Sequence, residues 1–409
     1  MMRPEYLDVH RLTGDTSVLK AFKAVEAYGG ALRFVGGVVR DTLAGLESSE
    51  IDLATDLSPD ELVEACTEYG LKTVSLGLKF AKTGIIINGK TFEVSSLHKN
   101  AKASDKDSDL SFTDDWNADA STRDLTINAV YADENGNVFD YYNGINDLEK
   151  GVVRFIGSAD DKIKELPIRI LRFFRFYSLF SKTKPDVKAL KACVENRDLL
   201  KTLSADAIRE ELFKILISKN AAFVIQMMHE NDILSFILPD RCYPEHLKTL
   251  DALVEFNHFE PSVIRRILVL FSPDPMVAES LALRLHLSKI QKNLLVDLSK
   301  FAFNPLLFDD LKYIKRVIFS HGKEFVKDKI LITLAQTGKT NTDLTTLFQA
   351  IDSMEVPVFP LNGKDLIELG LINCAPLKEI LGQLKNLWIE SDFELSKAEL
   401  KQKAEALIK

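Results

Sequence analysis

The sequence predicts an α+β protein: a small, mostly antiparallel sheet within residues 1–150, then an all-α remainder. Three observations carry this. Short β-rich runs alternate with helical ones up to about residue 150. Gly-Lys, Asn-Gly and Glu-Asn-Gly-Asn turns punctuate the last four of those runs, as hairpin turns do. Beyond 150, apolar residues recur at spacings of three and four with few strand signals, which is the period of an amphipathic helix.

The elements follow in order. "TSVLKAFKAVEAYG" (16–29) has helical periodicity, and "ALRFVGG" (31–37) is a strand ending in two glycines. "VVRDTLAG" (38–45) resumes as helix, and "EIDLAT" (50–55) is a strand. In "SPDELVEACTEYG" (58–70), Ser58 caps a helix, Pro59 takes its first position and Gly70 ends it. "TGIIIN" (83–88), "TFEVSSL" (91–97), "INAVYAD" (127–133) and "VFDYY" (138–142) are the four hairpin strands. The polar stretch "HKNAKASDKDSD" (98–109) reads as a mobile loop. A chain of 409 residues exceeds one ordinary core, so two to four domains are expected. Breaks near 150, 225 and 345–362, the last carrying Pro357 and Pro360, give segments 1–150, 151–225, 226–345 and 346–409. No internal repeat is visible. "LRLHLSKIQKNLL" (283–295) reads as one amphipathic helix.

Composition excludes some classes and leaves others open. Hydrophobic content of 46% and charged content of 27% are those of a soluble globular protein. No apolar run approaches the 18 residues of a membrane span, and "MMRPEYLDVH" lacks the apolar core of a signal peptide, so no membrane partner is expected. Cys66, Cys193, Cys242 and Cys374 show no Cys-x-x-Cys spacing, which points to a reducing cytoplasm. A net charge of -8 argues against a nucleic-acid coat over the whole surface and leaves a local basic groove open. Nothing in the sequence fixes the oligomeric state.

Two local patterns carry chemistry. Glu50 and Asp52 stand two apart in a strand, so both side chains leave one face. Their repulsion calls for compensation by a metal ion or by water. About fifteen residues earlier, Gly36 and Gly37 join a strand to a helix, letting backbone approach a ligand and offering helix N–H groups to an anion. A phosphate cradle beside a magnesium site is what nucleotidyl transfer requires.

Together, "GGVVRDTLAG … EIDLAT" resembles the signature of the class II tRNA nucleotidyltransferase (CCA-adding enzyme) and bacterial poly(A) polymerase family. "TRDLTINA" (122–129), "DYYNGINDLEKGVVRFIG" (140–157), "ELPIRILRFFRF" (165–176) and "FPLNGKDLIELG" (359–370) resemble further family segments in the family's order. The resemblance implies a polymerase-β-like nucleotidyltransferase head at 1–150 and a neck at 151–225 that holds the incoming base. It also implies an RNA-gripping body and tail at 226–345 and 346–409. The activity it implies is template-independent transfer of CMP or AMP, from CTP and ATP, to a tRNA 3′ end with Mg2+. By the same resemblance Glu50 and Asp52 are metal ligands, with Arg40 beside them in catalysis. Gly36, Gly37, Arg40, Asp41, Arg123, Asp124, Asn128, Glu165, Arg169 and Arg172 are the expected nucleotide contacts.

The sequence departs from the family at telling places. Glu50 replaces the first metal-binding Asp, and its extra methylene would displace the metal and weaken the chemistry. Leu166 stands where a base-reading Asp belongs and cannot accept a hydrogen bond from the amino group of cytosine or adenine. Glu165 lies about 100° away if the helix runs straight through, and its plain role is an i,i+4 ion pair with Arg169. Thr122 and Ala207 each take the place of a family Arg, and the loop 98–109 lacks the family's Arg-His pattern. The alternatives are poly(A) addition to other RNAs and an RNA-binding paralogue that has lost catalysis. Phe173, Phe174 and Phe176 read as core.

Overall fold

The computed structural model describes residues 7–8, 16–47, 50–77, 82–99, 111–238, 242–271, 273–308, 310–340, 342–370 and 374–408. Most of the polar stretch 98–109, from residue 100 onward, lies outside them. The α+β class is the one that forms. The chain divides into two compact units, Met1–Pro239 and Asp240–Lys409.

In the first unit the strands are β1 (Leu32–Val35), β2 (Asp52–Thr55), β3 (Lys72–Gly77), β4 (Lys82–Ile87) and β5 (Lys90–Ser96). They are followed by β6 (His98–Lys99), β7 (Ser111–Phe112), β8 (Val130–Ala132) and β9 (Val138–Asp140). Among the described residues, seven strands make one sheet in the order β3-β4-β5-β2-β1-β8-β9, while β6 and β7 pair with each other. Only β2 and β5 run parallel; the other neighbours are antiparallel. Strand β3, "KTVSLG", is absent from the sequence expectation because its apolar content is low.

One sheet face is closed by helices α1 (Leu19–Tyr28) and α3 (Pro59–Glu68), with Phe22, Val25, Phe34, Leu53, Leu62, Ile85 and Val94 in a shared core. Between them in sequence, α2 (Gly37–Leu43) follows the diglycine. The Ser58 side chain accepts from the Glu61 amide while Glu61 accepts from the Ser58 amide, so α3 starts as its capping box dictates. The opposite face carries Val35, Ala54 and Tyr131 and is partly covered by α4 (Trp116–Thr122).

Helices α5 (Gly144–Lys150), α6 (Ala159–Glu165) and α7 (Arg169–Phe180) come next. "ELPIRILRFFRF" is therefore not one helix. Leu166 is extended at φ -145° and ψ 95°, because the ring of Pro167 disfavours helical backbone at the residue before it. Phe173, Phe174 and Phe176 are core, as expected. Burying each contributes about 1.5–3 kcal/mol.

The second unit is helical throughout its described residues. "LRLHLSKIQKNLL" breaks: one helix ends at Arg284, His286 takes φ +46°, and Ser288 caps the next, Lys289–Lys300. Near the C-terminus, Leu366, Leu384, Trp388, Leu400 and Ala404 build a separate small core.

Candidate active site

Phe34 of β1 pairs with Leu53 of β2, so the end of β1, where the glycines begin, lies beside the start of β2, where Asp52 stands. The turn needs glycine: Gly36 sits at φ +67°, a region that penalises any side chain. The first amide tied back in α2 is Arg40 to the Gly36 carbonyl, leaving those of Gly37, Val38 and Val39 ahead of the helical ladder.

Arg123 links these two features. Its Nη1 would lie 3.6 Å from a Cβ on Gly36, and its charge acts on Asp52. Its Nε donates to the Tyr131 hydroxyl at 3.0 Å, and Nη2 lies 3.4 Å from Asp119 Oδ2. Tyr131 in turn donates to Asp119 Oδ2 at 2.7 Å. Asp119 and Tyr131 thus hold two edges of the guanidinium while the remaining nitrogen faces the diglycine.

A second network ties this turn to α7. Arg40 is buried, grips Asp41 through two hydrogen bonds of 2.9 Å, and donates through Nη1 to Asn128 Oδ1 at 2.6 Å. Its guanidinium stacks 4.7 Å from the Phe176 centroid and 4.9 Å from that of Phe180. Asn128 donates to Asp124 Oδ1 at 3.0 Å, and Asp124 Oδ2 meets Arg172 at 3.0 Å. Burial alone would raise the Asp124 carboxyl; Arg172, the Asn128 amide, the Leu125 backbone and Arg169 hold it below the usual range instead. The expected contacts Arg40, Asp41, Asn128, Asp124 and Arg172 are therefore brought together. Arg40 and Asp41 are spent on each other and on α7, whereas the Arg172 side chain keeps 33% of its surface exposed.

Glu165 and Arg169 form the i,i+4 pair at 2.5 Å. Arg169 is otherwise turned inward: Nη1 donates to the Lys162 carbonyl at 2.9 Å and Nη2 to the Thr122 carbonyl at 3.1 Å. It clamps the end of α4 instead of facing open space. Leu166, 44% exposed, lies outside regular helix, so the 100° argument for Glu165 does not apply.

Burial raises the Asp52 carboxyl above its ordinary value; Glu93 adds to the rise, Lys82 opposes it, Glu50 adds again and Arg123 opposes. A half-buried carboxylate raised by two acidic neighbours lacks positive charge, which fits a divalent cation held by Glu50 and Asp52. Among the described residues no three His, Cys, Asp or Glu side chains form a ready metal cage. Magnesium is compatible with that, since it commonly takes one or two carboxylates and completes its shell with substrate phosphate and water.

Sequence reasoning missed Glu93, which pairs in register with Asp52 across the parallel strands, and its ion-pair partner Lys82. It also missed Asp119, Tyr131 and the buried Arg175–Glu211 pair at 2.8 Å. The alternation of "TFEVSSL" does put Glu93 on the face opposite Phe92 and Val94, but only the strand order makes it a neighbour of Asp52.

Residues 32–154 match the family model described as the poly A polymerase head domain. Residues 184–243 match the one described as a probable RNA and SrmB-binding site of polymerase A. Over 378 residues, 90% of this chain and 85% of the relative, the sequence is 30% identical to the mitochondrial CCA tRNA nucleotidyltransferase 1 of Homo sapiens. It is 24% identical over 357 residues, 86% of each chain, to the CCA-adding enzyme of Ligilactobacillus salivarius. The Bacillus stearothermophilus CCA-adding enzyme, solved in complex with CTP, superposes with a TM-score of 0.77 at 21% identity, over 96% of this chain and 97% of that one. The Thermotoga maritima enzyme complexed with tRNA superposes with a TM-score of 0.67 at 21% identity, over the whole of both chains.

Proposed function

We propose that this chain, which belongs to the class II tRNA nucleotidyltransferase and poly(A) polymerase family, adds CMP and AMP from CTP and ATP to the 3′ end of tRNA without a template. The observation that carries the reading is the β1–β2 register, which sets the diglycine beside Asp52 with Arg123 reaching over Gly36.

In this reading Gly36 and Gly37 let the triphosphate approach the backbone, and Arg123, held by Asp119 and Tyr131, balances its charge. Glu50 and Asp52 would hold magnesium, which neutralises phosphate charge and activates the attacking hydroxyl when bound. Asp124 and Asn128, fixed by Arg172 and Arg40, form a rigid wall suited to the ribose. Arg40 and Arg169 act by positioning: Arg40 fixes the turn against α7, and Arg169 fixes the end of α4, from which Arg123 follows. Residues 1–150 serve as the head, 151–225 as the base-holding neck, and 226–345 and 346–409 as the body and tail that grip RNA. Among the described residues no helix is long and apolar enough to cross a membrane. Cys66, Cys193 and Cys242 are free and buried, which supports a reducing, cytoplasmic setting.

One observation favours a second reading, a relative that binds RNA with impaired base selection. Leu166 is exposed where the family has a carboxylate, and Glu165 is engaged by Arg169. The test is to incubate the protein with magnesium and a tRNA lacking its last three nucleotides, offering each labelled nucleoside triphosphate alone and all together. CCA followed by a stop supports the first reading. A growing A tract indicates poly(A) addition, and binding without incorporation indicates the second reading.

A further inference from the structure

The strands beyond Asp52 carry an open strip that the mechanism above does not use. Glu93 of β5 is in register with Asp52, and Lys82 of β4 forms an ion pair with Glu93; the two side chains are 37% and 39% exposed. On β4, Thr83, Ile85 and Ile87 point into the core, so Lys82, Gly84 and Ile86 take the outer face, the one that bears Asp52. Strand β3 extends it with Val74, paired with Gly84, and Lys72, paired with Ile86; Val74, Leu76 and Lys72 are all exposed. Gly84 keeps the strip flat: a Cβ there would meet Thr91 Cγ2 at 2.7 Å and Val74 Cγ1 at 2.9 Å. The result is a cationic and apolar track leading away from the acidic pair.

We propose that this track is the subsite for the terminal nucleotides of the RNA acceptor, with Lys82 leaving Glu93 to bind an acceptor phosphodiester. The inference rests on the reading that the diglycine cradles the incoming triphosphate. Phosphoryl transfer places the attacking and leaving oxygens roughly in line across the phosphorus. The triphosphate lies on the β1 side of Asp52, so the attacking 3′ hydroxyl arrives from the opposite side, over β5 and β4. Strands are spaced about 4.8 Å apart, which puts β4 about 14 Å from β1, beyond the triphosphate but within a nucleotide or two of the reacting atoms. A lysine suits a phosphodiester as a mobile point charge, and the exposed Val74 and Leu76 offer a surface for sugar and base. Glu93 holds the ammonium in place until RNA displaces it, and its negative charge discourages the incoming triphosphate from using the same cation.

The test compares the intact protein with Lys82→Met and Lys82→Arg in two titrations: fluorescence anisotropy with a labelled tRNA lacking its last three nucleotides, across a salt series, and CTP binding in the presence of Mg2+. Lys82→Met should weaken RNA binding several-fold and flatten the slope of log affinity against log salt by about 0.7, the value for one single-strand phosphate contact. Lys82→Arg should restore both, and CTP affinity should stay within about twofold. The proposal is overturned if Lys82→Met leaves RNA affinity and slope unchanged, or if it loses CTP affinity instead, which would put Lys82 on the triphosphate side. A parent protein that binds RNA with the expected Lys82 dependence but never binds CTP would overturn the reading of the diglycine and leave Lys82 as an RNA contact of another kind. Equal unfolding midpoints of the three proteins would show that the surface substitutions leave the fold alone.

Discussion

Asp124→Asn is the substitution whose outcome can be worked out most fully. Asp124 is 4% exposed and has three partners: the Leu125 amide at 2.8 Å, the Asn128 amide at 3.0 Å and Arg172 at 3.0 Å. The amide keeps the shape and removes the charge, so the ion pair is lost while one of the short hydrogen bonds can survive. Breaking a fully buried pair costs about 3–5 kcal/mol. Arg172 keeps a third of its side chain in water and can rehydrate, so we expect about 2 kcal/mol. In a unit of this size that lowers the unfolding midpoint by roughly 4–8 °C. The sign of the pH dependence follows from the depressed Asp124 carboxyl. Its contribution is complete above the unfolded-state value of about 3.9 and is lost as pH falls through the lower folded-state value. The gap between parent and variant should therefore hold from pH 7 to about 5 and close below about 4. Thermal unfolding followed by circular dichroism at several pH values reads both effects. A midpoint shift below about 1 °C, or a gap that persists into strong acid, would refute the assignment of Asp124 as an ionised partner of Arg172.

Other expectations can be checked in parallel. Glu50→Asp should raise the rate of CMP transfer, by as much as ~10²-fold if the longer side chain misplaces the metal; an unchanged or lower rate in single-turnover kinetics would show that Glu50 is already well placed. Leu166→Asp should lower misincorporation of UTP relative to CTP, measured as the ratio of their kcat/KM values. In the second unit, burial pulls the Lys329 ammonium down to about 8. Its folded-state value then lies below the unfolded one, so the unfolded chain binds the extra proton between pH 8 and 10.4 and stability rises with pH there. Urea unfolding should show a gain of about 2 kcal/mol between pH 7.5 and 9.5 that Lys329→Met abolishes.

What the sequence made legible was local. The diglycine, the spacing of Glu50 and Asp52, the Ser58 capping box and the helical period beyond 150 are each decided by a few adjacent residues, and each appears where expected. The partners that complete the site are set by tertiary register. Glu93 and Lys82 become neighbours of Asp52 only because β5 and β4 follow β2 in the sheet. Asp119 meets Tyr131 because α4 packs on β8's face. Arg40 reads from sequence as an active-site or surface residue, yet Phe176 and Phe180, some 140 residues on, bury it. The break at Leu166 was legible in principle, since proline restricts the residue before it. The strong apolar period of "IRILRFFRF" obscured it.

The most direct measurement is transfer of labelled CMP from CTP to a tRNA lacking its last three nucleotides, comparing the parent protein with Asp52→Asn under single-turnover conditions. If the acidic strand end and the diglycine turn share one nucleotide site, the parent incorporates label and the variant loses at least ~10³-fold of that rate while remaining folded, as removal of a group acting in the transition state does. Incorporation that survives in Asp52→Asn at the parental rate would place the chemistry elsewhere in the molecule.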